Sequence, residues 1–248
     1  MMSDAPRFEV FAVAGVPAVE AGDDLAGLLA EHVGSLVDGD IVVVSSKVVS
    51  KAEGRAVRGV PRATVIATET DEVVARRGDL TIARTRHGLV LAAAGVDVSN
   101  VEPGTVLPLP VDPDASARRL RHRVAALTGR TVGVVVTDTA GRPWRLGQTD
   151  IAIGVAGVKP SVDLAGTPDL YGTELRVTCP AVADEVAGAA ELVMGKASGT
   201  PFAVVRGLPD LVTADDGPGA AALVRPVADD LFAAGTGGQV STRGEPAP

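Results

Sequence analysis

The sequence predicts an α/β or α+β fold, on three observations. Short β-branched runs alternate with Ala- and Leu-rich stretches whose apolar residues recur at helical spacing. Two of the runs, 41–44 and 132–136, are apolar without interruption, the mark of strands buried on both faces. The composition, 46% hydrophobic and 22% charged over 248 residues, is that of a globular protein with material for a full core.

Taken in order, residues 8–13 form a first strand. Residues 24–33 follow as a helix, because Leu25, Leu28, Leu29 and Val33 recur at helical spacing and Asp23 or Asp24 supplies the N-cap. The run 41–44 is a buried strand, and 65–67 and 89–93 are further strand candidates. Four prolines make 102–113 an extended connector. Residues 118–127 form a helix that stops at Gly129, and 132–136 is a second buried strand. Pro180 opens the clearest helix as a first-turn proline. Val182, Val186, Ala189, Ala190 and Val193 line one of its faces, and Gly195 is its C-cap. Residues 202–205 are a strand. One domain is expected over 1–235. Residues 236–248, polar and rich in Gly and Pro, are expected to be a disordered tail.

Composition excludes several functions. Lys and Arg number 23 against 31 Asp and Glu, a net charge of −8 that argues against a nucleic-acid partner. The only aromatics are Phe8, Phe11, Trp144, Tyr171, Phe202 and Phe232, too few for base-stacking platforms. A single cysteine, Cys179, rules out an intrachain disulfide or a Cys-clustered metal site, and it reads as structural. No apolar run reaches about 18 residues without a charge, so no membrane span is expected. With no secretory signal in MMSDAPRFEV, the expected location is the cytoplasm.

Five polar segments interrupt the apolar pattern. The first, Ser45 to Arg55, carries Ser46, Lys47 and Lys51 after a buried strand, which suits an anion such as phosphate but equally a solvated helix. In the second, Asp97, Ser99 and Asn100 suit a hard cation or a nucleotide, or else an Asx turn. In the third, Asp138 and Thr139 are expected where a strand stops, with oxygen ligands for Mg²⁺ or Mn²⁺. Arg142 and Arg145 nearby are suited to clamping a carboxylate or phosphate, and a helix N-cap followed by a loop is the plainer alternative. The fourth, 147–157, is glycine-rich and permits close backbone approach or simple turning. The fifth, Met194-Gly195-Lys196-Ala197-Ser198-Gly199-Thr200-Pro201, can cradle phosphate or serve as a C-cap and turn. No Walker A spacing and no Gly-x-Ser-x-Gly elbow occurs, and His32, His87 and His122 lack metal-ligand spacing. His87, just before a strand, is a candidate substrate contact.

Taken together, ordered stretches from about Phe8 to Gly207 resemble the coenzyme F420-0:L-glutamate ligases, or F420 γ-glutamyl ligases. The resemblance rests on Gly15-Val16-Pro17, Gly22-Asp23-Asp24-Leu25, Lys47-Val48-Val49-Ser50-Lys51-Ala52-Glu53-Gly54-Arg55 and His87-Gly88-Leu89-Val90. It continues through Ala94-Gly95-Val96-Asp97-Val98-Ser99-Asn100-Val101, Thr137-Asp138-Thr139, Gly141-Arg142-Pro143-Trp144-Arg145 and Asp169-Leu170-Tyr171-Gly172-Thr173-Glu174. It implies an α/β fold with mixed sheets and flanking helices, forming a homodimer. It also implies an amide ligase dependent on GTP and on Mg²⁺ or Mn²⁺, joining L-glutamate to F420-0 through an acyl phosphate and adding γ-linked glutamates. A monovalent cation such as K⁺ is a further candidate.

Carried over by position, the resemblance makes Asp97 and Asp138 ligands of one metal and Thr139 a ligand of a second. It places Ser46, Lys47, Lys51 and Asn100 at the GTP, with the backbone of Val16, Pro17, Ala18 and Val19 and of the Met194–Pro201 loop. Arg142 and Arg145 join Asp138 as catalytic candidates on chemistry alone. Lys196 departs from the family pattern, where many members carry an acidic or amide ligand of the second metal; this leaves metal stoichiometry open. Two other readings remain: an amide ligase with a different acyl substrate, and a non-catalytic nucleotide-binding module.

Overall fold

The computed structural model describes residues 5–230 and 232; the expected tail 236–248 lies outside them. In chain order the elements are β1 (Glu9–Ala12), α1 (Leu25–His32), β2 (Ile41–Ser45), α2 (Ser46–Ala52), β3 (Val57–Arg58), α3 (Arg62–Glu69), β4 (Thr70–Arg77), β5 (Leu80–Thr85), β6 (Val90–Ala92), β7 (Thr105–Val106), α4 (Pro113–Thr128), β8 (Gly133–Gly141), β9 (Gln148–Ala156), α5 (Val182–Met194) and β10 (Phe202–Arg206). The main sheet has the order β1-β10-β2-β8-β9. β2 and β8 run parallel, and the other neighbours are antiparallel. Two small sheets, β3-β7 and β4-β5-β6, complete an α/β architecture with mixed strand directions.

The uninterrupted apolar runs are explained by a sheet covered on both faces. Val42, Val44, Val134, Val136, Phe202 and Val204 pack into one layer with α1 and α4. Ile41, Val43, Val135, Ala203 and Val205 pack into the other with α5. Every one of these residues is fully buried, and each side chain contributes about 1.5–3 kcal/mol by leaving water. α4 crosses β9 so closely that a Cβ on Gly154 would overlap the Pro113 carbonyl, so only glycine fits there.

Several expectations change. Residues 65–67 are helical, within α3: Val65 and Glu69 share its buried face, and three apolar residues cannot distinguish the two periods. α4 begins at Pro113, capped by Asp112, whose side chain accepts from the Ala115 N–H; Gly129 ends it in the left-handed region. α5 begins at Val182, so Pro180 precedes the helix and does not occupy its first turn. Asp24 sits at the N-cap of α1 but its carboxylate pairs with Arg123 instead of capping. β8 does not stop at Val136: it runs on through Asp138 and Thr139 to Gly141. The glycine-rich stretch 147–157 is mostly its antiparallel partner β9, and no helix follows Thr139. Among the described residues, no helix is long and apolar enough to cross a membrane.

Candidate functional site

The site originates in unequal strand lengths. Ser45, the last residue of β2, pairs with Thr137, while β8 continues to Gly141 with only β9 beside it. The margin of β8 beyond β2 borders an open cleft of about 320 Å³. It lies at the carboxyl end of the parallel strands, where such sheets place ligands. The β8–β9 pairing slips there, from Val136 opposite Gly154 to Thr137 opposite Ala152, leaving Ile153 as an extra residue. Beyond the slip Thr139 lies opposite Asp150, and alternation turns Asp138 to the other face, toward α2.

α2 supplies two cations. Lys47 and Lys51 are four residues apart, on one helix face, and both line the cleft. The Lys47 ammonium lies 2.9 Å from Asp97 Oδ2. The other Asp97 oxygen accepts the N–H groups of Val98 (2.6 Å) and Ser99 (2.7 Å). Burial alone would raise the Asp97 carboxyl, but Lys47 and Ser99 outweigh it and hold it below the usual range. Ala93, Ala94 and Gly95 deliver Asp97 to this place through three successive left-handed residues, φ 52°, 53° and 71°. Lys51 Nζ donates to the Asn100 carbonyl at 2.7 Å, and the Asn100 amide donates to the Lys196 carbonyl at 3.2 Å.

Asp138 receives the Ser46 hydroxyl at 2.6 Å. Burial pushes its carboxyl up to about 6; Ser46 and Lys47 pull it back, and the neighbouring Asp150 and Asp97 push it further. Asp150, 4% exposed, accepts from Thr137 Oγ1 at 3.2 Å and Thr139 Oγ1 at 2.9 Å. The Lys196 ammonium reaches Asp150 Oδ1 and Thr139 Oγ1, both at 2.6 Å, and Glu191 Oε1 at 3.0 Å. Burial would lower the Lys196 pKa, but the two carboxylates hold it above the ordinary lysine value.

The structure therefore brings together most of the candidate residues. Lys47, Lys51, Asn100, Asp138, Thr139, Lys196, Gly199, Thr200 and Pro201 line the cleft, as do Val16, Pro17, Ala18 and Val19. Ser46 lies buried behind Asp138, and Asp97 reaches the cleft through Lys47. Met194 and Gly195 line it too, although the Met194 side chain belongs to the core beneath α5. Ala197 and Ser198 stand outside the lining; Ser198 and Thr200 hydroxyls fold the loop back onto the Met194 carbonyl.

Arg142 and Arg145 lie elsewhere, on the exposed β8–β9 turn. The Arg142 guanidinium donates to the Leu146 carbonyl at 2.6 Å, and neither arginine lines the cleft. Trp144 between them is exposed, its ring 5.9 Å from that of Phe232. His87 bonds the Val111 carbonyl at 3.0 Å, away from the cleft. Cys179 is exposed and free. Sequence reasoning overlooked Asp150 and Glu191. The available signals were an acid beside the apolar Ile151-Ala152-Ile153 run, and opposite charges at 191 and 196 on either side of Gly195.

Among the described residues no three His, Cys, Asp or Glu side chains form a ready-made metal cage. Mg²⁺ or Mn²⁺ does not require one, since such ions keep water and phosphate oxygens as ligands. Asp97 and Asp138 offer hard carboxylate oxygens, and a cation beside them would offset the burial that raises the Asp138 carboxyl. This donor set fits a divalent ion.

The sequence profile of the F420-0:gamma-glutamyl ligase family matches residues 15–207. The chain is 41% identical over 244 residues to the coenzyme F420:L-glutamate ligase of Methanothermobacter thermautotrophicus, covering 89% of this chain and 96% of that protein. It is 45% identical over 221 residues to the ligase of that name from Archaeoglobus fulgidus, covering 82% and 88% respectively. To the one from Methanopyrus kandleri it is 43% identical over 235 residues, covering 86% and 93%.

Proposed function

The chain belongs to the F420-0:gamma-glutamyl ligase family, and from that premise we propose that it joins L-glutamate to coenzyme F420-0 with GTP as the phosphoryl donor. The carboxylate of F420-0 takes the γ-phosphoryl group of GTP, giving an acyl phosphate and GDP. The amine of L-glutamate then attacks the acyl carbon, phosphate leaves, and an amide forms. Further glutamates join through γ-carboxylates by the same steps.

The charge inventory of the cleft carries the nucleotide and metal parts of this reading. Lys47, Lys51 and Lys196 face Asp97, Asp138, Asp150 and Glu191, so the protein alone offers no surplus of positive charge. A triphosphate bound here requires a divalent cation, and that cation supplies charge neutralisation as the phosphoryl group moves. Asp97 and Asp138 are the residues that would hold it. Lys47 and Lys51 bind and orient phosphate oxygens from α2. Residues 16–19 and the loop after α5 also line the cleft and would meet the nucleotide through their backbone. Arg142 and Arg145 remain our candidates for the carboxylate-bearing substrates, reached from the exposed turn. The setting in this reading is the cytoplasm.

A homodimer is part of this proposal. Trp144 (87% exposed) and Leu146 (96%) on the β8–β9 turn, with Leu170 (100%) and Tyr171 (93%) on the 164–178 arm, form apolar tips that a second copy would cover. Sedimentation velocity tests it, and a monomer at micromolar concentration refutes it.

The test of the reaction is mass spectrometry of F420-0 after incubation with the protein, GTP, L-glutamate and Mn²⁺ or Mg²⁺. A ladder of glutamyl additions is expected, lost in Asp138→Asn. Unchanged F420-0 with phosphate released from GTP on another acid would favour a different acyl substrate. GTP binding without phosphate release in the full mixture would favour a non-catalytic module.

A further inference from the structure

Lys196 follows α5 on a loop folded back by the Ser198 and Thr200 hydroxyls, and its carbonyl accepts from Asn100. Its ammonium is held by three oxygens from three separate elements: Thr139 of β8, Asp150 of β9 and Glu191 of α5. Asp150 is deeply buried, and neither of its oxygens is free of a hydrogen bond. A carboxylate so placed needs a cation, because losing one partner of a buried pair leaves an uncompensated charge. One hydroxyl and two carboxylates around a single point form a donor set for a hard cation. Here that point is filled by a cation belonging to the chain.

We propose that the Lys196 ammonium is a tethered cation, occupying a three-oxygen site of Thr139, Asp150 and Glu191 that would otherwise take a divalent metal ion. The chain then loads one divalent ion fewer than its oxygen donors could hold. The tethered charge does not dissociate, survives chelation, and fastens the end of α5 to the β8–β9 ribbon. That this charge meets a nucleotide rests on the function proposed above; that Lys196 fills the site does not.

The test counts Mn²⁺ bound per chain by electron paramagnetic resonance, with Mn²⁺ as the only added ligand. Lys196→Glu and Lys196→Gln are expected to bind one ion more than the wild type, and Lys196→Arg the same number. Adding Asp150→Asn to Lys196→Glu is expected to abolish the extra ion. Mn²⁺ is also expected to raise the melting temperature of Lys196→Glu more than that of the wild type. Equal Mn²⁺ counts in the wild type and both the Gln and Glu variants would overturn the proposal, and the Gln variant decides it if Lys196→Glu fails to fold. Failure of the nucleotide reading shows separately, as wild-type Mn²⁺ affinity unaltered by saturating GTP.

Discussion

Replacing Asp138 with asparagine is expected to strengthen the empty protein while disabling its cleft. Burial raises this carboxyl from 3.8 to about 6, a difference worth about 3 kcal/mol. The side chain keeps some contact with the cleft, and asparagine must still bury an amide, so a net gain of about 1–2 kcal/mol is expected. The Asn Oδ1 can still accept from Ser46, so the hydrogen bond at 2.6 Å is retained. A carboxyl whose folded pKa lies above its unfolded value favours the fold while protonated. That contribution is complete below about 3.8 and lost as pH rises through about 6. Thermal unfolding in chelator at pH 7.5 should therefore show Asp138→Asn melting about 2–8 °C above the wild type. At pH 4, where the folded carboxyl is neutral and the unfolded one is about half ionised, most of the gap should close. Adding Mn²⁺ and GTP should stabilise the wild type by mass action and leave the variant nearly unmoved. A variant that melts below the wild type at pH 7.5 in chelator, or a gap undiminished at pH 4, refutes the reasoning.

Other outcomes follow from the same geometry. Lys47→Met should alter stability by no more than about 1 kcal/mol, because its pair with Asp97 is partly exposed, yet weaken GTP binding about 10–100-fold in a fluorescence titration. Unchanged affinity would remove Lys47 from the phosphate site. Gly154→Ala should lose about 1–3 kcal/mol in a urea melt, since its Cβ meets the backbone of α4; an unaltered midpoint would mean that the crossing relaxes freely. Chelation should stop phosphate release in the complete reaction mixture and Mn²⁺ or Mg²⁺ should restore it, whereas undiminished turnover in chelator would contradict a metal held by Asp97 and Asp138.

The sheet's centre was legible because its strands, buried on both faces, show as unbroken valine runs at β2, β8 and β10. The β4–β5 hairpin was not, since its strands carry charges on an exposed surface and lack a continuous apolar run. At the site, Lys47, Lys51, Asp97, Asp138 and Thr139 stood out as polar residues following apolar runs. Asp150 and Glu191 did not, because their roles depend on non-local geometry: the slipped β8–β9 register and the approach of α5. Arg142 and Arg145 illustrate the converse. Their chemistry was visible in the sequence, but only the hairpin shows that they sit on a turn outside the cleft.

The overhang of β8 past β2 has a practical consequence. Because the strand ends free on one side, side chains from opposite faces of the sheet meet in a single opening: Asp138 from the α2 face and Asp150 from the α5 face. A ligand spanning the two grips both halves of the molecule at once, so its binding energy enters the cooperative melting of the whole chain. Inhibitor screening by thermal shift should thus sort compounds by reach. Those that bridge the two acids should shift the entire transition, and those that touch one face should move it far less.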